Sequence, residues 1–217
     1  MSLPDYSDFD ERYFNSEEFE NAPRSAYHSY DSNSGAGSID YETFVEDLET
    51  LTGSDPTILI VGCGTGVTVK ACRDQSSQID DAYGMDISQW AIDNHASGIS
   101  QDIIQGDARV ADDFDAAQDE WNVNQAFDTI YTEFLLSHYD DAQAREIYEN
   151  CVEYVSHGGQ QRGTVVHRVW SGSGHEWEND RFNLKTISEW QSLMDDIELD
   201  GVSVEWIDYD QPEDSTI

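Results

Sequence analysis

The chain has 217 residues, with 46 acidic against 10 basic side chains and a formal charge of −36. That length fits one α/β domain with a short appendage and can bury a substantial core. The charge disfavours nucleic acid as a partner. Cys63, Cys72 and Cys151 make no disulfide framework and no zinc-spaced cluster, the start MSLPDYSDFDE lacks the parts of a signal peptide, and no run of about 18 apolar residues occurs; a cytoplasmic protein without a membrane span is expected.

Residues 1–37 form an acidic arm dotted with rings, from Tyr6 and Phe9 to Tyr27 and Tyr30, and end in SNSGAGS. A purely solvated tail rarely needs so many aromatics, so the arm is expected to dock on the domain. The domain is assigned to 38–210, and a polar tail to 211–217. After the candidate cap Ser38, residues Tyr41, Phe44, Val45, Leu48 and Leu51 recur at helical spacing, and Gly53 suits the end of that helix. The apolar run TILIVG at 57–62 suits a parallel strand buried on both faces. Strand and helix then alternate. A helix is expected near 66–74, a strand at 82–85, a helix from Ser88, a strand at 102–105 and an acidic helix near 110–121. FDTIYT at 127–132 is the fourth strand. The next helix puts Ala144, Ile147, Tyr148, Cys151 and Val155 on one face and ends at Gly158-Gly159. A fifth strand at 163–170, a helix around 186–196 and a last strand at 202–209 complete the pattern. Such alternation with short links implies βαβ units: a Rossmann-like open parallel sheet with helices on both faces, in three layers.

Lysine is scarce. Only Lys70 and Lys185 occur, and the acidic side chains are spread along the whole chain. This resembles the proteins of salt-loving archaea. At about 1 M salt the Debye length falls to about 3 Å, which screens the self-repulsion of such a surface, while the charge keeps the protein soluble. Compactness should therefore be lost in dilute buffer. A melting temperature and circular dichroism unchanged between molar and millimolar salt would defeat that expectation.

The strongest motif is ILIVGCGTG at 58–66, a strand, a glycine loop and a helix in order. Glycines allow the backbone close to a ligand, and the helix N-terminus offers free N–H groups and partial positive charge. The dinucleotide fingerprint is G-x-G-x-x-G. Here Gly62, Gly64 and Gly66 give G-x-G-x-G, and Val67 stands at the dinucleotide spacing. The loop closely resembles motif I of the class I S-adenosylmethionine-dependent methyltransferases, and the likeness extends over about residues 55–170. Asp86 ends the second strand in YGMDIS, which resembles that family's G-x-D-x-S segment. A carboxylate there can accept both ribose hydroxyls, each charge-assisted bond worth roughly 1.5–3 kcal/mol. Asp107 follows the third strand in IIQGDARV. The resemblance implies that Asp107 accepts the adenine amino group and that Ala108 lends its backbone to the ring. It implies S-adenosyl-L-methionine as cofactor, with Gly62, Cys63, Gly64, Gly66 and Ile87 also lining its site.

The fourth strand ends in YTEFLLSHYDD, which resembles a family segment common among enzymes acting on small molecules. It implies that Glu133 and Phe134 line the methionine end of the cofactor and that His138 lies near the reacting methyl. The Asn/Asp-Pro-Pro-Tyr/Phe sequence of amino-methylating DNA and glutamine enzymes is missing, so a small-molecule acceptor is expected. Methyl transfer is an in-line displacement from an activated donor, and the protein mainly aligns the reactants. A base is needed only if the acceptor must lose a proton. His138 is the first candidate because an unperturbed imidazole, near 6.5, suits the task; His175, in the Gly/Ser-rich loop after strand five, is the second. Rings in the arm and around Trp170, Trp177 and Phe182 are expected to form a lid. The family's seven-stranded sheet ends in an antiparallel pair, whereas this chain offers one clear strand, 202–209, before its tail. Two other functions remain open on these residues. One is a methyltransferase-like domain that binds without catalysing; the other is a nicotinamide-dependent oxidoreductase, which the glycine spacing disfavours.

Overall fold

The computed structural model describes residues 41–52, 55–79, 81–123, 126–133, 135–155, 163–169 and 185–195, with the backbone only at 41–43, 133 and 195. The arm 1–37, the strand expected at 202–209, Phe134, His175 and the lid aromatics lie outside the described residues.

Five parallel strands form one sheet in the order β3-β2-β1-β4-β5. They are β1 Thr57–Val61, β2 Asp81–Asp86, β3 Ile103–Gln105, β4 Thr129–Glu133 and β5 Thr164–Arg168. The helices are α1 Tyr41–Thr52, α2 Val67–Gln75, α3 Gln89–Asp93, α4 Ala111–Trp121, α5 Asp141–Tyr154 and α6 Ile187–Asp195, with a 3-10 turn at Leu135–His138. β1 is buried along almost its whole length because both its faces are covered. Its alternate residues enter two separate cores. Ile58 and Ile60 pack with Val45 and Leu48 of α1 and with Val69, Ala71 and Cys72 of α2. Leu59 and Val61 pack on the other face with Phe114 of α4, Ile147 and Cys151 of α5 and Trp190 of α6. The result is the expected three-layer, Rossmann-like arrangement.

Local chemistry sets several boundaries. Ser88 caps α3 by accepting from the Ala91 N–H at 3.1 Å, and Asp140 caps α5 by accepting from Gln143 N at 2.9 Å. Glu49 of α1 accepts from Ser76 Oγ, Ser77 N and Gln78 Nε2, which ties α1 to the link between α2 and β2. One expected contact is reassigned. Val155 shares the spacing of the α5 face, but it lies just past Tyr154 and bridges Phe127 in parallel fashion. It is still buried. A period-3.6 pattern cannot separate the last helical residue from the first extended one when both face the same core.

Sequential strands run outward from β1 to β3, and the chain then returns to place β4 on the other side of β1. This reversal opens a crevice beyond the carboxyl ends of β1 and β4, where ligands bind in open parallel sheets.

Candidate functional site

The loop after β1 turns on three glycines with positive φ: Gly62 at 73°, Gly64 at 55° and Gly66 at 74°. Side chains rarely adopt this region. At two of them the crowding comes from the protein and not from a ligand. A Cβ on Gly66 would collide with Ile99 Cδ1, and one on Gly62 would meet Leu135 Cδ1 at 3.0 Å. Gly62 and Gly66 therefore serve loop packing. Gly66 is also the left-handed N-cap of α2 and supplies no side-chain bond to the helix end.

Gly64 has the more direct part in the site. Its N–H donates to Asp86 Oδ2 at 2.7 Å, and Ser88 N donates to Oδ1 at 2.8 Å. The loop after β1 is thus joined to the carboxylate at the end of β2. Asp86 is 8% exposed. Burial lifts its carboxyl to about 6, although both N–H bonds oppose that shift. Asp86 is therefore ionised at neutral pH and protonated in mild acid. Cys63, also buried, has its thiol pushed well up by burial, with the Asp86 charge adding to the effect. It stays a thiol and packs between Gly84 and the loop. Ile87 and Ala108 are buried beside the two acids in sequence.

The loop after β3 is adjacent, since Gly106 N donates to Asp86 O at 2.9 Å. Asp107 is buried and held by Arg109, a partner that the sequence reading did not single out. Arg109 Nε lies 2.9 Å from Oδ1 and 3.1 Å from Oδ2, Nη2 lies 2.6 Å from Oδ2, and the Arg109 N–H reaches Oδ1 at 3.0 Å. Its presence two residues from Asp107, in a chain with so few cations, was the available signal.

On the other side of the crevice, β4 delivers the backbone of Glu133, and the 3-10 turn delivers His138. His138 is 8% exposed, and burial alone depresses its imidazole to about 4. The expected ordinary imidazole is thus replaced by a neutral, weakly basic one. Sequence reasoning also passed over His167 of β5. Its Nδ1 is hydrogen-bonded to Thr132 Oγ1 at 2.7 Å, its ring lies 5.4 Å from that of Tyr148, and burial depresses it to about 4. Among the described residues no group of three or more His, Cys, Asp or Glu side chains could hold a metal, and no helix is long and apolar enough to cross a membrane.

Residues 59–160 match the family described as a methyltransferase domain. No curated protein matches the chain in sequence. Solved structures share the fold at low identity. Magnesium protoporphyrin IX methyltransferase from Synechocystis, solved with bound S-adenosylmethionine, is 15% identical with a TM-score of 0.53, over 90% of this chain and 86% of its own. A putative methyltransferase of Haloferax volcanii, solved with the Trm112 methyltransferase activator, is 17% identical with a TM-score of 0.52, over 72% of this chain and 66% of its own. The cyclase SpnF is 14% identical with a TM-score of 0.58, over 90% of this chain and 73% of its own. The fold is that of the class I S-adenosylmethionine-dependent methyltransferases.

Proposed function

We propose that this protein transfers a methyl group from S-adenosyl-L-methionine to a small-molecule acceptor. The observation that carries the reading is the bond from Gly64 N to Asp86 Oδ2, which joins a positive-φ glycine loop to a buried carboxylate at the end of β2, beside the sheet's switch point. A carboxylate at that strand end suits vicinal hydroxyls, and an uncapped helix start suits the cofactor's own carboxylate. Each Asp86 oxygen can accept more than one donor, so its two backbone bonds are compatible with ribose binding. Asp107 would accept the adenine amino group beside the Ala108 backbone, and Glu133 and Phe134 would line the methionine end. When bound, the cofactor supplies a methyl already activated by a sulfonium charge.

The chain's own work is then alignment and exclusion of water. His138, neutral at physiological pH, would take a proton only from an acceptor acidic enough to lose it to a weak base; His175 remains the second candidate. The acidic, lysine-poor composition supports a cytoplasmic role at high salt, on behalf of a salt-adapted, archaeal-type host. Of the neighbours named above, the magnesium protoporphyrin IX methyltransferase supports a small acceptor, and the chain's strong negative charge speaks against nucleic acid.

A second reading is a methyltransferase-like domain with no transferase activity. It is favoured by the depressed His138 and by the same fold in the cyclase SpnF. Calorimetry at molar salt with S-adenosylmethionine, S-adenosylhomocysteine and NAD tests the cofactor. Binding of the first two alone is expected, and binding of NAD alone, or of none, would overturn the proposal. Transfer of a radiolabelled methyl to a small fraction of cell extract is the second expected result. Cofactor binding without any transfer would favour the second reading.

A further inference from the structure

We propose that Arg109 is the positioning residue for base recognition: it fixes the Asp107 carboxylate so that a 6-amino purine is accepted and a 6-oxo purine refused. This rests on the reading that Asp107 meets the adenine amino group.

Asp107 is 3% exposed, and its pair with Arg109 is accordingly not a solvated surface bridge. A buried carboxylate persists only when paired and hydrogen-bonded. Here the planar guanidinium straddles both oxygens, and the Arg109 N–H adds a further bond to Oδ1. A fork of this kind fixes the plane of the carboxylate as well as its charge, which a lysine cannot do. The guanidinium is itself located, with its carbon 5.3 Å from the centre of the buried Tyr139 ring. Tyr139 follows the 3-10 turn after β4, so the contact links the loops on the two sides of the crevice.

The backbone is pinned as well. Asp107 N donates to Asp113 Oδ2 at 2.7 Å, Val110 N donates to Asp107 O at 2.8 Å, and Asn150 Nδ2 donates to Ala108 O at 2.9 Å. Both backbone and side chain of the acid are therefore fixed before any ligand arrives, which is the condition for selectivity through a single hydrogen bond. An ionised, oriented carboxylate attracts an amino donor and repels a 6-oxo oxygen; the two effects add in the ratio of affinities. Without Arg109 the carboxylate can rotate out of the plane that the fork imposes, and the discrimination between an amino donor and a 6-oxo acceptor weakens.

The test titrates S-adenosylhomocysteine and S-inosylhomocysteine into the full chain at molar potassium chloride, for wild type, Arg109→Ala and Arg109→Lys. Wild type should prefer the adenosyl ligand by about tenfold or more. Arg109→Ala should collapse that preference to about threefold or less, and Arg109→Lys should fall between, because it keeps the charge and loses the fork. A role confined to stability would weaken both ligands and leave the ratio unchanged, which overturns the proposal. If Arg109→Ala fails to fold, Arg109→Lys decides by the same ratio. A wild type that binds both ligands equally also overturns it. A wild type that binds neither refutes the proposed function itself and is thereby told apart from failure of this inference.

Discussion

The β1–β3 side of the crevice and the β4–β5 side solve the problem of buried polarity differently. On the first, Asp86 is met by the N–H groups of Gly64 and Ser88, and Asp107 by an arginine fork and a backbone N–H. On the second, Ser137 Oγ and His167 Nε2 are buried without a hydrogen-bond partner among the described residues, and His138 and His167 are kept neutral by burial. An unmatched buried polar atom costs about 1–3 kcal/mol. The first side is preorganised for ionised acids; the second holds uncharged groups whose basicity has been suppressed. Under the proposed function the first side would meet the charge-assisted donors of the cofactor, and the second, which also carries Glu133 at the proposed methionine end, would keep water from the acceptor.

The comparison breaks most completely at Gly66. Gly66→Val puts a branched side chain at φ 74° against Ile99. It should abolish binding of S-adenosylhomocysteine and cost about 2 kcal/mol or more of stability, read by calorimetry and denaturant midpoint. Wild-type affinity in that variant would mean the glycine loop does not form the site.

Asp86 sharpens the contrast. Asp86→Asn should weaken the same ligand about tenfold to a hundredfold. In wild type the affinity should fall as pH drops through about 6, where the carboxyl takes up its proton, and the variant's affinity should be flat over that range. A wild-type profile that is flat between pH 8 and 5 would remove Asp86 from the site. The sign for stability is the reverse. The folded-state value lies above the ordinary 3.8. Asp86 thus contributes stability that is complete below the unfolded value and lost as pH rises through about 6, about 3 kcal/mol in all. Keeping an ionised acid here at neutral pH opposes folding, as is common at binding sites.

On the other side, at His138, the expected effect is on stability alone. Its folded value, about 4, lies below the ordinary 6.5. Its contribution is present above the unfolded value and is lost as pH falls toward about 4, about 2–3 kcal/mol between pH 7 and 4.5. Asp86 offsets part of this. His138→Gln should therefore lose less stability than wild type over that interval in urea titrations. Parallel losses in the two proteins would show that His138 is not held neutral by burial.

From β1 to α6, the order of strands and helices, the glycine loop and the placing of the two acids could be read from the chain. Those features are written locally, in runs such as TILIVG and in short spacings that backbone geometry enforces. The start of a helix at Ser88 was legible for the same reason. What surrounds each charge is set by folding. Arg109 is close to Asp107 in sequence, but its stacking on Tyr139 and its fork geometry depend on the fold. The pairing of Thr132 with His167 follows from the register of β4 and β5, 35 residues apart in the chain. The lifted acid at Asp86 and the suppressed imidazole at His138 follow from burial, which no spacing of letters encodes. Periodicity shows that a residue faces inward; desolvation is set by everything else that packs around it.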